Sequence, residues 1–221
     1  MSESKLLNEK DGGRYSMKGS RWWGVLIFLI LVFIDQLTKL FAQVYFEAEG
    51  APQSVPVIKG WIELTLTHNR GISYGMGANA PEWAKIAVVA VTAVMMIALA
   101  VLYFKLDKRR VWLRTALVFV VGGGVGNLID RVYYRVWVAG GAGGVRDMVD
   151  LSRFGFAVCN FADFFISAGA VMLVLSMLFL DSIALFPATK KYKEIAKESD
   201  LIEQSKKEAK QAKHGSPSVY R

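Results

Sequence analysis

The sequence predicts a membrane all-α protein: four transmembrane helices with both termini cytosolic, a small extracytoplasmic β-structured lobe and a flexible outer loop. Three observations carry this. Hydrophobic residues make up 53% of the 221, and they fall in blocks, not at amphipathic periods. Four blocks approach the ~20 residues needed to cross a hydrocarbon core of about 30 Å. The basic residues gather between blocks on one side only.

Met1 to Ser20 is a polar, mildly basic arm, and Arg21-Trp22-Trp23 forms an interfacial anchor. The first span runs from about Gly24 to Tyr45 and carries Asp35, Gln36, Thr38 and Lys39. It is too long for a cleavable leader and lacks a small-residue cleavage site. In the polar segment that follows, Trp61 to Thr67 alternates apolar and polar, the period of a half-buried strand. Asn69-Arg70-Gly71 and Tyr74 to Gly77 supply turns. The second span, about Ile86 to Phe104, is free of charge. A basic connection leads to the third, about Trp112 to Val132. The loop from Tyr133 to Cys159 is flexible by composition, with four glycines between 140 and 144. The fourth span covers about Phe161 to Phe186. The chain thus divides into an arm (1–21), a membrane domain (22–186, with its lobe at 46–84 and outer loop at 133–159) and a charged tail (187–221).

Five basic residues lie in the arm, five in the connection (Lys105, Lys108, Arg109, Arg110, Arg114) and nine in the tail, out of 27 in the chain. The positive-inside rule puts all three segments in the cytosol. The net charge of +8 is therefore a topogenic signal, and no nucleic-acid partner is expected. The single cysteine, Cys159, rules out an internal disulfide and offers no metal site. No metal or other cofactor is expected.

Ionisable groups at membrane depth are costly and commonly functional. If the third helix enters near Leu113, Asp130 lies roughly 25 Å up a ~30 Å core. Asp163 opens the fourth helix roughly 5 Å below the same surface. Two carboxylates at matching depth predict an aspartate pair. Such a pair shares one proton near neutrality and suits peptide hydrolysis, one member taking a proton from water while the other polarises the scissile carbonyl. Asn127 and Asn160 each precede an aspartate by about one turn, and each can orient a neighbouring carboxylate or the substrate backbone. Gly122, Gly123, Gly124 and Gly126 allow a helix or peptide to approach closely.

These blocks resemble the bacterial lipoprotein signal peptidase (signal peptidase II) family. The resemblance rests on Asp35-Gln-Leu-Thr-Lys39, Asn69-Arg-Gly-Ile-Ser-Tyr-Gly75, Gly123-Gly-Val-Gly-Asn-Leu-Ile-Asp-Arg131, Val149-Asp150 and Asn160-Phe-Ala-Asp163, in the family's order, over about Trp22 to Phe186. It implies a bacterial inner-membrane aspartic endopeptidase with its site near the outer leaflet. Such an enzyme cleaves diacylglyceryl-modified prolipoproteins just before the lipid-bearing cysteine, and globomycin-type antibiotics block it. The resemblance places Asp130 and Asp163 at the catalytic positions. It assigns Asp35, Lys39, Asn69, Gly71, Asn127, Arg131 and Asn160 to supporting or substrate-holding ones. Two departures stand out: Ser73-Tyr74-Gly75 replaces the usual Ala-Phe-Gly, and the loop from Tyr133 to Arg153 is long.

Simpler readings apply residue by residue. Asp35 and Lys39, four apart, form an intrahelical ion pair before they do chemistry. Asp130 alone could be a helix-end partner of Arg131. Arg70 and Arg131 read as structural or headgroup contacts. Cys159 is an ordinary small buried residue unless a base adjoins it. Two other functions compete: a proton relay in a small transporter, which the charge-free second span disfavours, and a non-enzymatic assembly factor, which leaves the acidic pair unexplained.

Overall fold

In the computed structural model, the described residues are 21–71, 76–106, 110–138, 141, 143–180 and scattered helical positions from 194 to 208. The arm before residue 21, the Ser73-Tyr74-Gly75 departure, Gly140 and most of the charged tail lie outside them.

Four helices long and apolar enough to span a bilayer are present. They are α1 (Arg21–Phe46), α2 (Glu82–Lys105), α3 (Val111–Tyr133) and α4 (Phe161–Leu175), the last continuing as a π-helical turn, Ser176–Leu180. Each contains the predicted span or its described part, with ends shifted by a few residues. α2 starts directly after Pro81, with Glu82 in its first turn and Lys105 in its last, both matching the helix dipole. α4 starts on a capping box: Asn160 accepts from the Asp163 N–H, and Asp163 accepts from the Asn160 N–H.

α3 is the centre of the bundle. Of its apolar window 56% is buried, against 11–17% for the other three, which leave their flanks to lipid. Four glycines would make it a poor helix in water. In hydrocarbon every backbone group must bond internally, so the helix persists and the glycines serve packing. A Cβ on Gly123 would strike the Ala162 carbonyl, and one on Gly126 the Asp35 carboxylate. Gly126→Ala is therefore expected to destabilise the protein by about 1–3 kcal/mol through overpacking. Thermal unfolding in detergent measures it, and an unchanged midpoint would contradict the close approach.

The outer lobe is a three-stranded antiparallel sheet in the order β1 (Ser54–Ile58), β2 (Ile62–Asn69), β3 (Val145–Asp150). β2 contains most of the strand predicted at 61–67. β3 corrects the expectation of a wholly flexible outer loop: Val145 through Met148 are buried, paired to β2 as Asn69 with Val145 and His68 with Arg146. On its other side, the Met148 and Val149 N–H groups donate to the Cys159 carbonyl, at 2.9 and 2.8 Å. The Arg70 guanidinium also donates to the Val136, Val138 and Gly141 carbonyls, tying the first part of that loop to the end of β2. A register shift between β2 and β3 lies between Leu64 and Thr67, beside Asp147; such bulges re-aim side chains near functional sites.

Candidate active site

Where α1, α3, α4 and β3 meet, the polar residues form two connected layers. The inner layer is built on charge. Asp35 and Lys39 are both fully buried, and Lys39 Nζ donates to Asp35 Oδ2 at 2.8 Å. It donates also to Asn127 Oδ1, at 2.9 Å, and lies 3.6 Å from Asp130 Oδ2. The other Asp35 oxygen accepts from the Ala162 N–H at 3.0 Å, so the α1 carboxylate helps seat the start of α4.

Asp130 is fully buried within this layer. Arg146 donates to it three times: from Nη2 at 2.7 Å, from Nε at 3.3 Å and from its backbone N–H at 3.0 Å. Arg146 Nη2 and Nη1 also reach Gln36 Oε1 and Gln43 Oε1, and its guanidinium lies over the Tyr134 ring. The expected partner of Asp163, Asp130, here meets Arg146 and Lys39. Asp130 is neutralised by Arg146 and Lys39, and it does not line the cavity beside it.

The carboxylate that faces Asp163 is Asp147, on β3. It is 3% exposed. Asn160 links the two: its Nδ2 donates to Asp147 Oδ1 at 2.5 Å, while its backbone N–H donates to Asp163 Oδ2 at 3.1 Å. Asn127 Nδ2 donates to Asp163 Oδ1 at 2.8 Å, and Asn127 Oδ1 accepts from Lys39 and Asn160. Both asparagines thus bond carboxylates of the site, Asn127 holding Asp163 and Asn160 holding both Asp147 and Asp163. Asn69 bonds Asp147 and also accepts from the Gly71 N–H at 2.9 Å, which places the Asn69 block at the same site. Burial first, and the charge of Asp163 second, push the Asp147 carboxyl up to about 7, against which the bonds from Asn160 and Asn69 act.

The two aspartates share a cavity of about 720 Å³ with Asn69, Asn127 and Arg131, lined also by Thr92, Met95, Met96, Val120 and Ile166. Arg131 feels the charges of Asp163, Asp147 and Asp130. Cys159 lines the cavity too, but burial raises its thiol to about 11, with Asp163 and Asp147 adding to the shift. At neutral pH it is a thiol, not a nucleophile.

Asp147 is the residue that sequence reasoning missed. Its signal was the alternation Val145-Arg146-Asp147-Met148-Val149-Asp150, a strand pattern directly after the glycine run.

A helical membrane bundle that holds two carboxylates against an apolar cleft has the form of a multi-pass membrane peptidase. Similarity to known proteins narrows that class. The profile of the family described as Signal peptidase (SPase) II matches residues 27–179. A "Lipoprotein signal peptidase" of Caldanaerobacter subterraneus subsp. tengcongensis is 37% identical over 155 residues, covering 70% of this chain and 95% of its own. Those of Pseudomonas aeruginosa and Fusobacterium nucleatum subsp. nucleatum are 35% and 31% identical, over 71% of this chain in each case and 85% and 87% of their own. Two solved structures of a "bacterial membrane enzyme" superpose with TM-scores of 0.56 and 0.57. Each is 24% identical and spans 75% of this chain, and they cover 90% and 96% of their own chains, so they show the fold. The chain belongs to the signal peptidase II family.

Proposed function

We propose that the protein is an aspartic endopeptidase of a bacterial inner membrane that removes the signal peptide from diacylglyceryl-modified prolipoproteins, with Asp147 and Asp163 as its catalytic pair. The observation that carries this is the meeting of those two carboxylates in one cavity that also has a wall of apolar side chains. That wall suits a lipid-bearing peptide, and the polar side suits hydrolysis.

Each residue then has a defined task. Asp163, held by Asn127 and the Asn160 N–H, takes a proton from the attacking water as the water oxygen bonds to the scissile carbonyl carbon. Asp147 gives its proton to the carbonyl oxygen. The tetrahedral intermediate collapses as Asp163 passes its proton to the leaving amine and Asp147 recovers its own. Arg131, at the cavity edge, holds substrate carbonyls or a headgroup. Asp35, Lys39, Asp130 and Arg146 fix the positions of Asn127, β3 and α4. The positive-inside distribution of the sequence supports cytosolic termini and a site near the outer leaflet. Globomycin-type peptides are expected to compete for the cavity.

The test is a gel shift. Purified protein in detergent is given a diacylglyceryl-modified prolipoprotein and the same precursor without lipid. Cleavage of the lipidated form alone, lost in both Asp147→Asn and Asp163→Asn, is the expected result; no cleavage of either form by folded protein would overturn the proposal.

The pH profile follows from the raised carboxyl. Below about 7 Asp147 holds its proton; above it the proton leaves and no acid remains for the carbonyl oxygen. Cleavage should therefore fall as pH rises through about 7, the value belonging to the pair and not to one residue. A profile of kcat/KM that stays flat or rises through that value would contradict the assignment.

A further inference from the structure

At the end of the bundle remote from the aspartates lies a polar group that peptide hydrolysis does not use. Arg114 stands in the first turn of α3 and is only 6% exposed. Its guanidinium carbon sits 4.5 Å from the centroid of the Tyr103 ring. Among the described residues, its buried Nε and Nη2 have no hydrogen-bond acceptor, and no carboxylate pairs with it. A guanidinium taken out of water without an acceptor is costly, and near a bilayer the cost rises. Among the described residues that flank Arg114 in sequence, Lys105 and Arg110, which end α2 and precede α3, are basic as well. Ser176, fully buried at the start of the π-helical turn that packs on α3, has an unpartnered hydroxyl in the same way.

Beside Tyr103 a cavity of about 240 Å³ opens between α1, α2 and α3, lined by Gly24, Phe28, Ala100, Leu117 and Val121. Tyr103 joins the two features, lying under the Arg114 guanidinium and lining the cavity, where Gly24 lets α1 pack on its hydroxyl. An apolar cavity adjoining a cation that lacks an acceptor matches one ligand chemistry: an anionic oxygen fork attached to hydrocarbon.

We propose that Arg114 holds the phosphodiester of an anionic glycerophospholipid from the leaflet opposite the active site, with part of an acyl chain in the cavity beside Tyr103. Arginine presents two parallel N–H donors that fit phosphate oxygens, and its aromatic face stays on Tyr103. Lys105 and Arg110 add positive potential, so a headgroup with net negative charge is preferred to a zwitterionic one. The lipid then caps the junction of α1, α2 and α3.

Native mass spectrometry of the full-length protein in mild detergent tests this, with dioleoyl phosphatidylglycerol, dioleoyl phosphatidylcholine and inorganic phosphate as separate titrants. One phosphatidylglycerol should be held about tenfold more tightly than phosphatidylcholine. Arg114→Gln should erase that preference, and Ala100→Phe, which fills the cavity, should weaken retention of both lipids. Equal binding of the two lipids by the wild type, or a preference that survives Arg114→Gln, would overturn the proposal. Binding of inorganic phosphate as tight as the lipid, unaffected by Ala100→Phe, would make this a free-anion site and overturn the lipid assignment. If Arg114→Gln does not fold, Ala100→Phe decides: reduced lipid retention supports the site and unchanged retention sinks it. Lipoprotein cleavage by either folded variant is expected to stay near wild type, so failure here leaves the peptidase proposal untouched.

Discussion

Asp147→Asn is expected to lower lipoprotein cleavage by roughly a thousandfold or more while leaving the melting temperature close to wild type. The geometry explains why the two effects separate. Asparagine has the shape of the protonated acid, and its amide oxygen can still accept from Asn160 Nδ2, which now donates to Asp147 Oδ1 at 2.5 Å. The strand pairing beside Asp147, Thr67 to Asp147 and His68 to Arg146, uses the backbone and is untouched. What is lost is the proton that would be handed to the scissile carbonyl. Asp163→Asn should cost as much activity but also some stability, because Asp163 accepts at both oxygens, from the Asn160 N–H and from Asn127 Nδ2, and an asparagine can keep only one of these bonds; a lost hydrogen bond is worth about 1 kcal/mol. Cleavage by Asp147→Asn within about tenfold of wild type would remove Asp147 from the chemistry.

The four spans were legible because a bilayer imposes length and hydropathy on any helix that crosses it. The polar partners of Asp35 were legible only in part: Lys39 follows at i+4, whereas the bond from the Ala162 N–H comes from α4 and has no local signal. The acidic pair shows most clearly where one-dimensional reasoning stops. Rise along a helix gives depth, and Asp130 and Asp163 do sit near the same end of the bundle. Depth says nothing about direction around the axis. At about 100° per residue, Asn127 and Arg131 point within about 40° of each other, while Asp130 is turned about 100° from Arg131. Accordingly Asn127 and Arg131 line the cavity and Asp130 faces Arg146 and Lys39. The carboxylate that shares the cavity with Asp163, Asp147, arrives on β3, a strand hidden behind a glycine run. Its identity depends on a long-range register with β2 that no local pattern fixes.

Asp130→Asn is expected to be chiefly a folding defect, costing about 3–5 kcal/mol, because removing one member of a buried ion network strands the others. Arg146 would lose the carboxylate it meets at 2.7 Å, and Lys39, itself fully buried, would lose one of its two anionic neighbours. The defect should also propagate to β3, since the Arg146 N–H that fixes the strand beside Asp147 donates to the same carboxylate. The double variant Asp130→Asn/Arg146→Gln separates charge from position. Removing the stranded cation together with the anion should recover a measurable part of the lost stability, a coupling of roughly 1–3 kcal/mol between residues in direct contact. Thermal unfolding in detergent gives the stabilities, and cleavage normalised to folded protein gives the activities. The decisive comparison is with Asp147→Asn: the Asp130 variant should lose mainly stability, the Asp147 variant mainly turnover. Wild-type stability in Asp130→Asn with cleavage abolished would reverse the assignment and make Asp130, not Asp147, the partner of Asp163 in catalysis.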